Sequence, residues 1–130
     1  MQTERDLLKK EMTIIAYAGA DAANSKLPPV INDYLATNNI KAHLIGIAIN
    51  EDDFKFFISN LKKSKVEVTV FAEEFQKKAA DFYNLNGFLI AAFKKEEDFI
   101  LVEEREMLMM DDKKIIQIIN KIVKERDAGI

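Results

Sequence analysis

Few side chains in this sequence are of types that carry chemistry, and their spacing narrows the field further. His43 is the only histidine and there is no cysteine. Thiolate nucleophiles, disulfides and thiolate metal sites are thereby removed together, and any histidine-based triad would hang on one residue. His43 opens a strand-like stretch with no nucleophile beside it, so it reads as a structural or surface histidine. The carboxylate pairs Asp52-Asp53, Glu73-Glu74 and Asp111-Asp112 each stand where a helix is expected to start. The helix dipole favours a carboxylate there, and no metal is needed to explain it. Hydroxyls are left: Ser25, beside Asn24 at the head of a helix, where either is an ordinary cap, and Thr69 within a strand. The turn after the first strand reads Gly19-Ala20-Asp21-Ala22-Ala23-Asn24, one glycine where a dinucleotide turn carries three. Asp21 would repel a pyrophosphate, and no Walker loop occurs. No catalytic residue, no cofactor and no metal is expected of this chain.

The elements that must position these residues alternate. Thr13–Ala18 is short and apolar and ends at Gly19, as a buried strand does. Leu27, Val30, Ile31, Tyr34 and Leu35 then share one helical face, with Pro28 and Pro29 in the first turn. His43–Ile49 is a second strand, followed by a helix with Phe54, Phe57, Ile58 and Leu61 inward. Lys65–Phe71 alternates, with Val66, Val68 and Val70 on one side. A helix with Phe75, Ala79, Phe82 and Tyr83 inward ends near Asn86-Gly87. Phe88–Phe93 and Phe99–Glu103 flank the charged turn Lys94–Asp98 as a hairpin, and Asp111 caps a last helix that runs to Arg126, with Gly129 beyond it. Three βα units, a hairpin and a helix predict a three-layer α/β fold: a mixed, mostly parallel sheet with helices on both faces.

The bulk properties bound the rest. The 130 residues carry a net charge of −3, and Lys62-Lys63-Lys65, Lys77-Lys78 and Lys94-Lys95 all have acidic neighbours. Neither nucleic acid nor a membrane is an expected partner. Residues 1–12 read as a charged N-terminal extension lacking a signal-peptide core, and 13–130 as one domain, with the cytoplasm as default location. Met107, Met109 and Met110 read as packing. In the last helix Ile115, Ile116, Ile118, Ile119, Ile122 and Val123 span an arc wider than one sheet face usually needs. It is either deep core or the surface of a homodimer.

The order of elements and two short stretches carry a family resemblance, stronger in topology than in motif. Asn24-Ser25-Lys26-Leu27-Pro28 stands where shikimate dehydrogenases have H-S-x-S-P, and Glu67-Val68-Thr69-Val70-Phe71-Ala72-Glu73 where they have N-V-T-x-P-x-K. The chain thus resembles, over 13–106, the N-terminal substrate-binding domain of that family. The resemblance implies a substrate cleft touched by Asn24, Ser25, Thr69 and Glu73, holding a small polar acid or polyol. It also implies departures: Leu27 replaces a serine, Glu73 the proton-transfer lysine and Ile90 the substrate-binding asparagine, while the family's aspartate falls loosely on Glu106. The nicotinamide-binding domain is not within these residues. A catalytically incomplete module that binds a small molecule or a protein is therefore expected. The alternative is the substrate-binding subunit of a two-chain shikimate- or quinate-type dehydrogenase, whose partner would be a separate nucleotide-binding chain.

Overall fold

The structure is a computed structural model that describes residues 12–128, with side chains described as far as Lys124 in the last helix. The extension before Met12 and Gly129 lie outside the described residues. Strand β1 (Thr13–Gly19) sits inside the sheet because five successive residues, Ile15–Gly19, are apolar or small and buried. It pairs in parallel with β2 (Ala42–Ala48) on one side and β3 (Val68–Phe71) on the other. Antiparallel strands β4 (Phe88–Lys95) and β5 (Asp98–Glu104) complete the order β2-β1-β3-β4-β5. The sheet is mixed as expected, parallel in its first half and antiparallel in its second.

Helices α1 (Leu27–Thr37) and α4 (Asp112–Ala128) cover one face through Ile31, Leu35, Ile115 and Ile119. Helices α2 (Phe54–Ser59) and α3 (Glu73–Phe82) cover the other, where Phe54, Phe71 and Phe75 pack ring on ring. The three expected layers are present. All four residues of β3 are buried, so this central strand is apolar-facing on both sides rather than half-exposed as its valine alternation suggests.

Local chemistry sets the element ends. Ser25 Oγ accepts the Leu27 N–H at 3.0 Å, satisfying a donor at the start of α1, and Pro28 and Pro29 occupy its first turn. Asn39 at φ 56° and Asn84 at φ 59° follow α1 and α3 in the left-handed region, which asparagine tolerates better than most residues. Helix α3 thus ends before Asn86-Gly87. Asp111 Oδ1 accepts the Lys114 N–H at 2.8 Å, the cap expected of it. Asn32 of α1 accepts the Leu44 N–H at 2.7 Å and donates to the Leu44 carbonyl at 2.9 Å, which blunts the open edge of β2.

Along α4, Ile115, Ile118, Ile119 and Ile122 are buried in the main core, with Ile116 and Val123 half-buried against it. Most of the wide apolar arc packs inside the chain, while Ile116 and Val123 stay half-exposed. Among the described residues no helix is long and apolar enough to cross a membrane.

Candidate ligand-binding cleft

In open α/β sheets, polar ligands bind at the carboxyl ends of parallel strands, where loops and helix starts converge. Here that rim is built by the turn after β1, the start of α3 after β3, and the segment leading into α4. Two glycines allow the approach. A Cβ on Gly46 of β2 would lie 2.2 Å from the Ala22 carbonyl oxygen, so only glycine lets the Ala22–Asn24 turn settle over β2. A Cβ on Gly19 would lie 2.8 Å from Ala72 Cβ, where β1 ends beside the entry to α3.

The two glutamates that open α3 fasten the neighbouring segments. Glu74 Oε2 accepts the Ala20 N–H at 3.1 Å, and Glu73 Oε1 accepts the Met110 N–H. One turn further on, Gln76 is fully buried and grips the same segment from below. Its Nε2 donates to the carbonyls of Leu108 at 2.8 Å and Phe71 at 3.1 Å, and its Oε1 accepts the Leu108 N–H at 2.9 Å. Tyr17 of β1 is buried in the same core cluster as Ala22, Ala72 and Met110. Burial, and then the negative charges of Glu73 and Glu74, push its phenol up to about 12. It is a neutral hydroxyl over the whole physiological range.

The residues singled out in sequence are distributed unevenly. Ser25 is half-buried, its oxygen accepting the Leu27 N–H, and Asn24 is exposed on the turn; neither is the N-cap expected of it, which is Lys26. Glu73 is half-buried at the rim. Thr69 is 2% exposed, paired between Ala16 and Ala92. Val68 and Val70 belong to the core under α1 and α4, and Phe71 to the core under α2 and α3, so by alternation Thr69 points with Phe71. It is buried short of the strand end, while Ser25 and Glu73 lie at the rim. Ile90 is core. Glu106 is exposed, and the segment that meets Glu73 does so at Met110, next to Asp111, four residues later than the resemblance suggests. His43 is exposed on β2, as a surface histidine.

Tyr17 and Gln76 were not legible as site residues. Tyr17 reads as one more apolar strand residue. Gln76 carries a faint signal, being a polar residue directly after Phe75 in a helix that needs a broad buried face.

Apolar hollows lie elsewhere. One of 460 Å³ opens at the amino ends of the strands among Thr13, Ile15, Ile40, Val68, Ile119 and Ile122. Asn39 and Lys41 also line it, but none of the rim's carboxylates does, and the convergence of donors and acceptors makes the carboxyl-end rim the better candidate for a polar ligand. Among the described residues no group of three or more His, Asp or Glu side chains is placed to hold a metal.

No protein-family model matches the sequence, and no curated protein matches it. Solved structures do match in fold. Shikimate dehydrogenase 1 of Peptoclostridium difficile superposes with a TM-score of 0.59 at 12% identity, over 69% of this chain and 36% of that one. The shikimate dehydrogenase of Aquifex aeolicus gives 0.56 at 14% identity, over 69% and 36%. The 5-ketofructose reductase of a Gluconobacter strain gives 0.58 at 9%, over 69% and 35%. The chain thus has the fold of part of a shikimate dehydrogenase, as its order of elements suggested, and spans about a third of the length of these enzymes. Identities this low speak to the fold alone.

Proposed function

We propose that this domain is a catalytically incomplete relative of the shikimate dehydrogenase substrate-binding domain, acting by binding a small polar molecule at the carboxyl-end rim. The observation that carries the reading is the engagement of Glu73. A residue placed to move protons should have its acid group directed at a substrate. The Glu73 carboxylate instead takes the Met110 N–H, and Glu74 takes that of Ala20, so both serve to hold the rim together. A rim built on carboxylates and hydroxyls retains the means to recognise hydrogen-bond donors and lacks the lysine that redox chemistry on a hydroxyl would need.

The test is titration of the amide NMR spectrum with small polyols, amines and hydroxy acids, alongside absorbance at the reduced-nicotinamide band. Shifts confined to Ala20–Ser25, Glu73–Glu74 and Met110, without cofactor turnover, are expected. Cofactor-dependent turnover by the pure chain would refute the reading, as would spectra silent at the rim.

A second reading has its own observation. The chain spans about a third of the length of the dehydrogenases it superposes on, and on this second reading it is the substrate-binding subunit of a two-chain enzyme. Co-purification of a Rossmann-type chain from native cells, with turnover by the pair, would favour that two-chain dehydrogenase over a binding or interaction module.

A further inference from the structure

Helix α2 carries an exposed apolar knob beside an apolar hole. Phe56 is 74% exposed, the most exposed aromatic residue among those described. It forms part of the wall of a hollow of 330 Å³, together with Ile47, Ile49, Phe57, Leu61 and Val66. The knob is held firmly. Phe54, buried on the same short helix, stacks its ring on Phe75 at 4.6 Å and fixes α2 to α3. The Phe56 carbonyl accepts from Ser59 Oγ at 3.0 Å and from Asn60 Nδ2 at 2.7 Å, which closes the helix end. An aromatic ring preorganised in this way loses little freedom on association.

Charge is segregated along the same stretch. A 3₁₀ turn, Glu51–Asp53, precedes α2, and another, Leu61–Lys63, follows it. Asp52, Asp53, Lys62, Lys63 and Lys65 are all exposed, and none of them is in an ion pair among the described residues. Glu51 alone is engaged, with Lys78. Asp53 and Ser64, the neighbour of Lys63 and Lys65, both line the hollow. Helical spacing of four and seven residues sets Asp52, Phe56 and Lys63 on one stripe. The acid lies roughly 6 Å before the ring along the axis and the lysine roughly 10 Å after it. Lys55, exposed and about 100° around the helix from Phe56, stays on the flank.

From this juxtaposition we infer that the α2 face binds a second copy of this chain in an isologous dimer. Two α2 helices pack antiparallel, and each Phe56 enters the hollow of the other copy. The Asp52-Asp53 end of one helix then faces the Lys62-Lys63 end of its partner. A two-fold axis brings one patch against itself, so a knob beside a hole is self-complementary. The antiparallel alignment is also the one that matches the charges, since a parallel one would set acid against acid. The inference does not depend on ligand binding at the rim.

Sedimentation velocity of the full chain, from micromolar to millimolar concentration, is expected to show a monomer–dimer equilibrium. Phe56→Ser removes an exposed ring and should keep the parent's circular dichroism. It is expected to weaken the dimer about tenfold or more, as loss of a central aromatic anchor does. Asp52→Lys with Asp53→Lys, and separately Lys62→Glu with Lys63→Glu, should each weaken self-association, because like charges then meet at both ends of the contact. An equimolar mixture of these two variants should pair about as tightly as the parent, since every end then faces its opposite. A parent chain that stays monomeric at millimolar concentration overturns the inference and leaves the hollow to another occupant. A dimer indifferent to Phe56→Ser overturns it too, as does a mixture that pairs no better than its components.

Discussion

Replacing Gln76 tests the support on which the whole rim depends. Its side chain is fully buried and makes three hydrogen bonds, to the Leu108 N–H, the Leu108 carbonyl and the Phe71 carbonyl. Gln76→Met keeps the volume close and removes all three, leaving three backbone groups without this partner. At about 0.5–1.5 kcal/mol net per bond, the loss is roughly 2–4 kcal/mol, a large share of the ~5–15 kcal/mol that holds a domain folded. Urea denaturation followed by far-UV circular dichroism measures it. Because the bonds fasten one segment, the amides of Leu108 and Met110 should also lose hydrogen-exchange protection more than those of β1 or β3. Gln76→Glu supplies the control. One carboxylate oxygen still accepts from Leu108, but the other faces two carbonyls and is satisfied only when protonated. The folded protein then holds that carboxyl above its unfolded value near 4.3, so its stabilising contribution is present below that pH and lost as pH rises through the folded value. The deficit of Gln76→Glu against the parent should shrink on acidification, whereas that of Gln76→Met should not. A cost below about 1 kcal/mol for Gln76→Met, with unchanged exchange at Leu108, would refute the reasoning.

Gly46→Ala should destabilise by about 1–3 kcal/mol, because its Cβ would stand 2.2 Å from the Ala22 carbonyl oxygen and the turn must shift. Amide shifts centred on Ala22–Ser25 and a lower urea midpoint check it. Tyr17, with its phenol at about 12 against an ordinary 10.0, contributes stability that is complete below about pH 10 and is lost as pH rises toward about 12. Spectrophotometric titration of Tyr17→Phe against the parent should show the late-ionising phenol missing, and denaturation at pH 9 and 11 should show the parent losing the extra stability. Ile119→Asp, at a fully enclosed position of α4, should unfold the chain rather than yield a folded monomer. Size-exclusion chromatography with circular dichroism distinguishes the two outcomes.

What the sequence determined by itself is what depends on near neighbours. The apolar spacing of Leu27, Ile31 and Leu35 dictates α1, the Pro28-Pro29 pair suits its first turn, and Asp111 caps α4, because these effects act within a few residues. The alternation of strands and helices is sufficient for a three-layer α/β fold, and the order of those elements for its likeness to part of a shikimate dehydrogenase. Tertiary structure decided which faces were shared. The isoleucine arc of α4 is compatible in sequence with core or interface, and only the sheet beneath it makes it core. Thr69 looks like a site hydroxyl until strand alternation and a second helical layer enclose it. The rim itself is made by contacts across long stretches of chain, Ala20 with Glu74, Glu73 with Met110 and Gln76 with Leu108. No local pattern records such pairs, because a carboxylate or amide side chain at a helix start looks the same whether its partner is water or a backbone group brought in by the fold.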